Sequence, residues 1–277
     1  MGATSKIEWT DATWNPIRAR NLATGKIGWH CEHVSEGCRF CYAETLNRRL
    51  GTGLDFKPGH RADLQIFLDE KMLLAPLRWK NPRRIFVNSM SDTFAEFVKD
   101  EWLDRMFAVM ALTPRHTFQI LTKRPERMQG YCMRGRVLGV AWSMLGRMPK
   151  FKHHGIRERP FPLPNVWLGV SAEDQDTFEE RRQPLRDTPA AVRFFSLEPM
   201  LGAIDAGAAL ATGLYHWVIC GGESGPHARP MHPDWVMSLQ RQCAAAEVPF
   251  FFKQWGGKNK KAAGRLLDGI EHNGMPQ

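Results

Sequence analysis

The chain has 277 residues, of which 43% are hydrophobic and 24% are charged, and its formal net charge is +9. This length suits one large domain or two small ones, and the composition excludes disordered, collagen-like and coiled-coil proteins. The longest apolar runs, such as residues 85–87 and 248–252, are far shorter than the roughly 20 residues needed to cross a bilayer. We therefore expect no membrane partner, and the positive charge favours an anionic one, such as a nucleic acid or a phosphorylated small molecule.

The beginning of the chain and its cysteines bear on the cellular compartment. Residues 1–11 lack the basic and apolar segments of a secretory signal peptide, so we expect a cytoplasmic protein. Three of the six cysteines lie close together, at Cys31, Cys38 and Cys41. In a cytoplasmic protein this crowding indicates metal ligation or redox chemistry before structural disulfides.

From residue 80 onward, short apolar runs alternate with longer amphipathic stretches, which is typical of parallel strands joined by helices. The predicted strands are 85–89, 117–121, 166–170, 193–196, 216–220 and 249–252. The predicted helices are 42–50, 100–112, 125–133, 176–186 and 233–246. The first strand is not placed, because 7–9, 13–17 and 27–30 are all candidates.

This rhythm predicts an α/β fold whose strands form a partial or complete parallel β/α barrel of the TIM type. Residues 1–256 are predicted to form one barrel-like domain, and 257–277 a loosely ordered C-terminal tail. A basic insertion over about 134–164 interrupts the rhythm and carries Arg157 and Arg159. These arginines are candidates to neutralise the phosphates of a nucleic acid, and a solvated flap is the alternative.

Polar residues follow successive predicted strands. In chain order they are Asn88, Ser91 and Asp92; Lys123 and Arg124; Ser171, Glu173 and Asp174; Glu198; Gly221, Gly222 and Glu223; and Lys253. The carboxyl ends of barrel strands form one rim, so these residues are expected to converge on one pocket. Each position alone is explained as well by a strand end that meets water, but their recurrence favours a site.

Two of these residues are candidates for catalysis and three for binding an anion. Glu198 is a candidate general base or ligand of a ribose hydroxyl, and Lys123 is the second candidate catalytic residue. Lys123, Arg124 and Lys253 are also the cations suited to a phosphate or carboxylate, and an exposed, solvated pair or lysine is the alternative.

The remaining rim residues are candidates for holding a cofactor. Asn88, Ser91 and Asp92 are in position to contact one, although they could equally cap the following helix. The glycines at 221 and 222 allow a ligand close to the backbone, and Glu223 can accept a hydrogen bond from an ammonium or a ribose hydroxyl. A tight turn with a solvated Glu223 is the alternative.

The strongest local signal is the segment Cys31-Glu-His-Val-Ser-Glu-Gly-Cys38-Arg-Phe-Cys41. Three thiolates on a short loop can bind three irons of a 4Fe–4S cluster and leave the fourth iron open to a ligand. In the competing zinc site, His30 or His33 completes a tetrahedral set of three cysteines and one histidine. Three free cysteines without metal are the third interpretation, and the spacing does not separate the two metals, since both accept thiolates.

Several segments together resemble a known family. They are residues 6–16 (KIEWTDATWNP), the cysteine loop ending CYAE at 41–44, 196–199 (SLEP), 220–225 (CGGESG) with 229–233 (RPMHP), and 251–256 (FFKQWG). Over almost the whole chain, they resemble a phage and prophage family of uncharacterised proteins with a three-cysteine motif. That family is similar to radical S-adenosylmethionine (SAM) enzymes, whose partial β/α barrels hold a 4Fe–4S cluster on a loop after the first strand. Phe40 matches the aromatic residue that radical SAM loops carry before their last cysteine.

Two features depart from the radical SAM pattern. The stretch 32–37 between the first two cysteines is longer than usual, and the strand end that usually carries a Gly-Gly-Glu-like element reads Asn88-Ser-Met-Ser-Asp92. Asp92 is the candidate replacement for the missing glutamate. The Gly-Gly-Glu run at 221–223 follows a much later strand, so the role is not transferred to it by position.

The resemblance implies an iron–sulfur protein of the radical SAM type, with the cluster on Cys31, Cys38 and Cys41. Its reaction would be reductive cleavage of SAM and radical modification of an anionic substrate, for which a nucleic acid or nucleotide is the candidate. Such an enzyme needs a reductant protein, and a further partner protein is a candidate too. The alternatives are a zinc-stabilised phage protein that binds a nucleic acid or a partner without catalysis, and a barrel that retains the cluster but has lost SAM chemistry.

Overall fold

The computed structural model describes residues 5–134 and 161–277. Its strands are β1 (Ala12–Trp14), β2 (Ile17–Asn21), β3 (Ile27–Gly28), β4 (Leu64–Leu68), β5 (Arg84–Val87), β6 (Thr117–Thr122), β7 (Val166–Ala172), β8 (Val192–Leu197), β9 (Trp217–Gly221), β10 (Phe250–Gln254), β11 (Leu266–Leu267) and β12 (Ile270–Glu271). Its helices are α1 (Tyr42–Leu50), α2 (Glu70–Leu73), α3 (Ala75–Arg78), α4 (Asp100–Leu112), α5 (Pro125–Cys132), α6 (Gln175–Asp187), α7 (Gly207–Leu210), α8 (Pro233–Ala245) and α9 (Lys260–Ala263). Among these helices, none is long and apolar enough to cross a membrane.

The main sheet has seven parallel strands in the order β1-β5-β6-β7-β8-β9-β10 and is curled into a half-barrel. Within the described part of the chain no pairing joins β10 to β1, so the barrel is open. The predicted α/β fold is confirmed in its partial-barrel form. Most of the basic insertion, including Arg157 and Arg159, lies outside the described residues.

The six predicted strands correspond to β5 to β10, and each boundary differs by at most two residues. The predicted helices 42–50 and 100–112 coincide with α1 and α4. The first strand of the sheet is β1, which overlaps the candidate 13–17 and pairs with β5 through Ala12 and Ile85. Of the other two candidates, 7–9 contains no strand, and 27–30 contributes only the two residues of β3.

The two faces of the half-barrel carry different cores, because successive side chains of a strand point to opposite faces. The larger core joins the sheet to the helices and includes Val87, Phe195 and Phe252. The second core contains no residue of the described helices, so it lies on the concave face that the helices leave open. We call it the inner aromatic cluster; its members are Trp9, Phe86, Trp167, Phe194, Trp217, Ile219 and Phe251.

A small antiparallel sheet, β3-β2-β4, lies beside the C-terminal end of α1. The link between them is Asn47 of α1, which is fully buried. Its Oδ1 accepts hydrogen bonds from the amides of Trp29 (3.0 Å) and Thr52 (3.1 Å). The chain is therefore fixed on both sides of the segment that carries the three crowded cysteines.

The C-terminal residues contact the last strand of the main sheet. The amide of Phe252 donates to the His272 carbonyl, and the amide of Gly274 donates to the Phe250 carbonyl, each at 2.9 Å. The indole Nε1 of Trp217 also donates to the Gly274 carbonyl at 2.7 Å. These contacts join the tail, which we expected to be loosely ordered, to β10 and to the inner aromatic cluster.

Candidate functional site

The cysteine loop, residues 30–41, connects β3 to α1. A short helical turn, Glu36–Cys38, forms its middle. The amide of Cys41 donates to the Cys38 carbonyl at 3.2 Å, which keeps these two cysteines on one tight bend. All three loop cysteines are half-buried free thiols, whereas Cys132, Cys220 and Cys243 are fully buried, as expected for small hydrophobic residues.

Four side chains that follow four different strands of the half-barrel hydrogen-bond to the backbone of this loop. We call them the loop anchors: Ser91 Oγ donates to the His30 carbonyl (2.6 Å), Arg124 Nη2 to the Glu32 carbonyl (3.3 Å), Arg229 Nη2 to the Glu36 carbonyl (2.9 Å), and Glu173 Oε1 accepts from the Gly37 amide (3.3 Å). They follow β5, β6, β9 and β7, whose carboxyl ends share one rim of a parallel sheet. The cysteine loop therefore lies across that rim.

Two residues predicted to bind a cofactor or an anion, Asp92 and Arg124, bind each other. The Arg124 Nη1 donates to Asp92 Oδ2 at 3.1 Å, and both residues are buried. The Asp92 Oδ1 accepts from Thr122 Oγ1 at 2.7 Å. Asp92 thus fixes Arg124, which in turn holds the cysteine loop.

Glu223, also predicted to contact a cofactor, holds another loop anchor. Its two carboxylate oxygens accept from Arg229 Nη2 (2.6 Å) and Nε (2.9 Å). Burial pushes the pKa of Glu223 upward, but the hydrogen bonds from Arg229 outweigh it and bring the pKa below its ordinary value. At the neighbouring Gly222, a side chain would overlap the carbonyl of Trp255. The group that comes close to the backbone of Gly222 is therefore another part of the chain, where the sequence predicted a ligand.

Glu198 and Lys253 form an ion pair on the concave side of the rim. Lys253 Nζ lies 2.7 Å from Glu198 Oε1, which also accepts from Gln254 Nε2 at 3.2 Å. Gly221 lies between the pair on β9, where a Cβ would come within 3.3 Å of Glu198 Cδ. Gly221 follows Trp217 and Ile219 at even spacing along β9, and a Cβ there would also lie 3.4 Å from Lys253 Cβ, so the pair shares the face of the inner aromatic cluster.

Lys123 lies at the same inner rim, two residues beyond Leu121, which packs against the inner aromatic cluster. Among the described residues, none forms an ion pair with it. Its ammonium is close enough to Cys41 to favour the thiolate, although burial is the larger effect and raises the pKa of that thiol. Lys123 is thus a rim cation whose charge is available to a ligand.

Asn88 and Tyr42 border the space between the cysteine loop and the inner rim. Asn88 is 2% exposed and has a left-handed φ of 51°. Its Nδ2 donates to Thr93 Oγ1 at 3.0 Å, while its Oδ1 is buried without a hydrogen-bond partner in the described part of the chain. The hydroxyl of Tyr42 donates to the Ser89 carbonyl at 2.7 Å, and 47% of Tyr42 remains exposed.

Phe40 has a different environment, at the outer side of the loop. Its ring centre lies 5.4 Å from the guanidinium carbons of both Arg39 and Arg229. The ring of His227 is 5.6 Å away at an interplanar angle of 33°. Phe40 therefore packs between its neighbour Arg39 in the loop and two residues that follow β9, His227 and Arg229.

The surroundings of the thiols bear on which metal group would fit them. Cys31 and Cys41 pack against a small apolar cluster that includes Trp29 and Phe56. Burial, followed by the charge of Asp92, raises the pKa of Cys31, and Arg124 opposes this effect. Across residues 5–134 and 161–277, no three His, Cys, Asp or Glu side chains converge as closely as the ligands of one metal ion do.

The two histidines considered as a fourth zinc ligand are both engaged by carboxylates. His30 Nε2 lies 3.3 Å from Glu32 Oε1, and His33 Nε2 lies 3.3 Å from Glu44 Oε2. Both contacts use Nε2 only, and the Nδ1 of His30 is buried without a hydrogen-bond partner in the described part of the chain. A carboxylate on the second ring nitrogen is the usual partner of a metal-bound histidine, so these donors fit a cluster held by three thiolates and a Cys3His zinc site alike.

The rim thus divides the candidate residues into two groups. Ser91, Asp92, Arg124 and Glu223 support the cysteine loop, while Asn88, Lys123, Glu198, Gly221 and Lys253 line the inner side. The sequence did not indicate the roles of Arg229 or Tyr42. The only signals were that Arg229 lies in the RPMHP segment and that Tyr42 directly follows the last loop cysteine.

Comparison with known proteins gives a family but no activity. No curated protein and no solved structure matches the chain. One family model, described as a protein of unknown function (DUF5131), matches residues 4–276. This match covers nearly the entire sequence, including the cysteine loop and every strand of the half-barrel. The chain belongs to the DUF5131 family.

Proposed function

We propose that this protein is an iron–sulfur enzyme of the radical SAM type, with Cys31, Cys38 and Cys41 as the ligands of a 4Fe–4S cluster. The observation that supports it is the position of the cysteine loop, laid across the carboxyl rim of a parallel half-barrel and held there by four loop anchors. Three thiolates leave one iron without a protein ligand, which is the position that SAM would take. The phage origin suggested by the sequence belongs to the same proposal.

The bound cluster would supply the electron for reductive cleavage of SAM, and the protein would supply position and exclusion of water. The inner aromatic cluster packs on the concave face below the rim and would help to exclude water from that side. Asn88 Oδ1, a buried acceptor without a partner in the described residues, is suited to an N–H donor of the cofactor. Phe40, Ser91, Asp92 and Glu223 would support that cofactor from the loop side, while Gly221 lines the inner side.

The inner rim is suited to an anionic substrate. Lys123 carries a charge that no ion pair within the described ranges neutralises, and the whole chain has a net charge of +9. Lys253 adds a second ammonium, whose position Glu198 fixes at 2.7 Å. We infer a nucleotide or nucleic acid as substrate, with Lys123 and Glu198 as the residues nearest the chemistry and a reductant protein as the source of the electron.

The test begins with the full-length protein purified without oxygen. We expect a brown protein with about four irons and a broad visible band that bleaches with dithionite. Cys31→Ala should lose iron and colour, whereas Cys132→Ala, which removes a buried thiol far from the loop, should keep both. Incubation of the reduced protein with SAM should then release methionine.

A colourless protein with about one zinc would contradict the proposal. It would favour a zinc-stabilised protein that binds a nucleic acid or a partner, in which Cys31→Ala mainly lowers the stability of the N-terminal region. A brown protein that leaves SAM intact would support the cluster and contradict the SAM chemistry.

A further inference from the structure

A buried carboxylate at the end of β7 contacts the middle of the cysteine loop. Glu173 is 0% exposed and pairs with Arg181 of α6, which is 1% exposed, at 3.0 Å between Oε2 and Nη1. The same Nη1 donates to the Ser171 carbonyl at 2.8 Å, which fixes the guanidinium against the strand. Buried ion pairs are a weak source of stability because of their desolvation cost, so a role in orientation is the better explanation.

The second oxygen of this carboxylate reaches the loop. Glu173 Oε1 accepts from the amide of Gly37 at 3.3 Å, and Gly37 directly precedes Cys38. A Cβ at Gly37 would lie 3.0 Å from both Cδ and Oε1 of Glu173, so the backbone of the loop rests on the carboxylate. Any larger residue at 37 would push the turn that carries Cys38 away from β7.

Arg229 holds the same turn from its other side, at the carbonyl of Glu36. Glu36 is exposed, so water competes with that contact, whereas the contact at Gly37 ends on a fully buried carboxylate. Hydrogen bonds to a charged group shielded from water are the stronger kind. The Glu173 contact, at 3.3 Å, is longer than the 2.9 Å contact of Arg229, but it is the one that is shielded from water.

We propose that Glu173, held by Arg181, is a positioning residue that fixes Cys38 relative to Cys31 and Cys41. The geometry of the contact is independent of any metal. Its consequence, that the three thiols are held ready for one cluster, rests on the proposed function. Glu173 acts through the backbone of the loop and touches no reacting atom.

The first test uses the metal-free full-length protein, so that it does not depend on the cluster. Hydrogen exchange of the Gly37 amide and alkylation of Cys38 by iodoacetamide would be followed by mass spectrometry. We expect Glu173→Ala to accelerate both by roughly tenfold, and Glu173→Gln, which keeps an acceptor oxygen, to accelerate them less. The matched control is Glu179→Gln, on the exposed side of α6, where Glu179 pairs with Arg182; it should change neither rate.

A second variant distinguishes loss of the Glu173 contact from a general loss of folding. Gly37→Ala leaves the buried Glu173–Arg181 pair intact and disturbs the contact from the loop side. It should accelerate alkylation of Cys38 while leaving the melting temperature close to that of the wild type. Unchanged exchange and alkylation in folded Gly37→Ala and Glu173→Gln would overturn the proposal.

A measurement on the iron-loaded protein separates this inference from the proposed function. If the wild type binds a cluster, Glu173→Ala should lower the iron-to-protein ratio at least twofold, and Glu179→Gln should not. A ratio equal to that of the wild type would show that the contact does not prepare the thiols. If the wild type binds no iron, the proposed function fails, while the first test still decides whether Glu173 fixes Cys38.

Discussion

The two ends of the concave face are built from the same strands and yet have opposite chemistry. At the amino end the face is aromatic, with Phe194 on β8 and Phe251 on β10. At the carboxyl end the same strands present Glu198 and Lys253. Position along the strand, and not the choice of face, thus separates the part that stabilises the fold from the part available for chemistry.

The largest effect should come from removing an aromatic side chain at the amino end. Trp217 is fully buried, and its ring centre lies 5.4 Å from that of Phe194 and 5.9 Å from that of Trp167. Trp217→Ala should lower the free energy of unfolding by about 3–5 kcal/mol, because it leaves a cavity in a packed cluster. Urea unfolding measures this change in free energy. A loss below about 1 kcal/mol would contradict the statement that the amino end stabilises the fold.

A smaller loss is expected at the boundary between the two ends. Gly169 lies in the middle of β7, where a Cβ would come within 2.5 Å of the Phe194 ring. Gly169→Ala should cost about 1–3 kcal/mol through overpacking. The matched control is Gly130→Ala in α5, where no atom lies within 4 Å of the added Cβ and helix propensity predicts no loss of stability.

At the carboxyl end, removal of Lys123 should weaken ligand binding without lowering the stability of the fold. Lys123→Ala should leave the free energy of unfolding within about 0.5 kcal/mol of the wild type. It should weaken the binding of a fluorescent single-stranded oligonucleotide by about three- to tenfold at low salt, because one phosphate contact is lost. Lys57→Ala, which removes an exposed lysine paired with Asp55, is the control that should keep the affinity. Equal affinities for both variants would argue against Lys123 as the anion contact.

The Glu198–Lys253 pair should contribute little to stability, since both groups are partly exposed at the rim. Unfolding of Glu198→Gln, Lys253→Met and the double variant gives the coupling between them. We expect a coupling energy below about 1 kcal/mol. A larger value would mean that the rim, like the amino end, is part of the stabilising core.

The smallest effect is the pH dependence of stability that comes from His116, which directly precedes β6 at the amino end. Burial, followed by the charge of Arg115, lowers the pKa of His116 from its ordinary value of 6.5. The folded protein therefore keeps His116 neutral while the unfolded chain gains a proton, so the stabilising contribution is complete above pH 6.5 and declines as the pH falls below it. Unfolding at pH 7.5, 6.5 and 5.5 should show this decline, and His116→Asn should reduce it. A steeper decline in the variant would contradict the assignment.

The parts of the fold that the sequence predicted are those with a strong local pattern. Helix 100–112 and strands β5 to β10 follow from amphipathic periodicity and apolar runs. β1 has three residues, and β2, with two arginines in Ile17–Asn21, lacks an apolar run, so neither was placed. Their strand character depends on pairing with residues distant in the chain, which no local pattern contains.

The sequence predicted which residues form the candidate site, but not which of them hold the cysteine loop and which line the inner side of the rim. The cysteine spacing and the polar strand ends identified the rim. That Arg124 would turn toward the cysteine loop while Lys123 lines the inner side follows from the side-chain alternation of β6 and from the contact with Asp92. The pairing of Glu223 with Arg229 likewise depends on the path of the chain after β9.

The C-terminal segment has a consequence for self-association. β10 is the last strand of the open sheet, and an uncovered edge strand offers free amides and carbonyls to the edge of another molecule. In this chain the carbonyl of Phe250 and the amide of Phe252 on that edge bond to Gly274 and His272, respectively. The segment therefore covers part of the edge at which half-barrels could pair, and its loss would leave the backbone of β10, a strand with three successive phenylalanines, open to other chains.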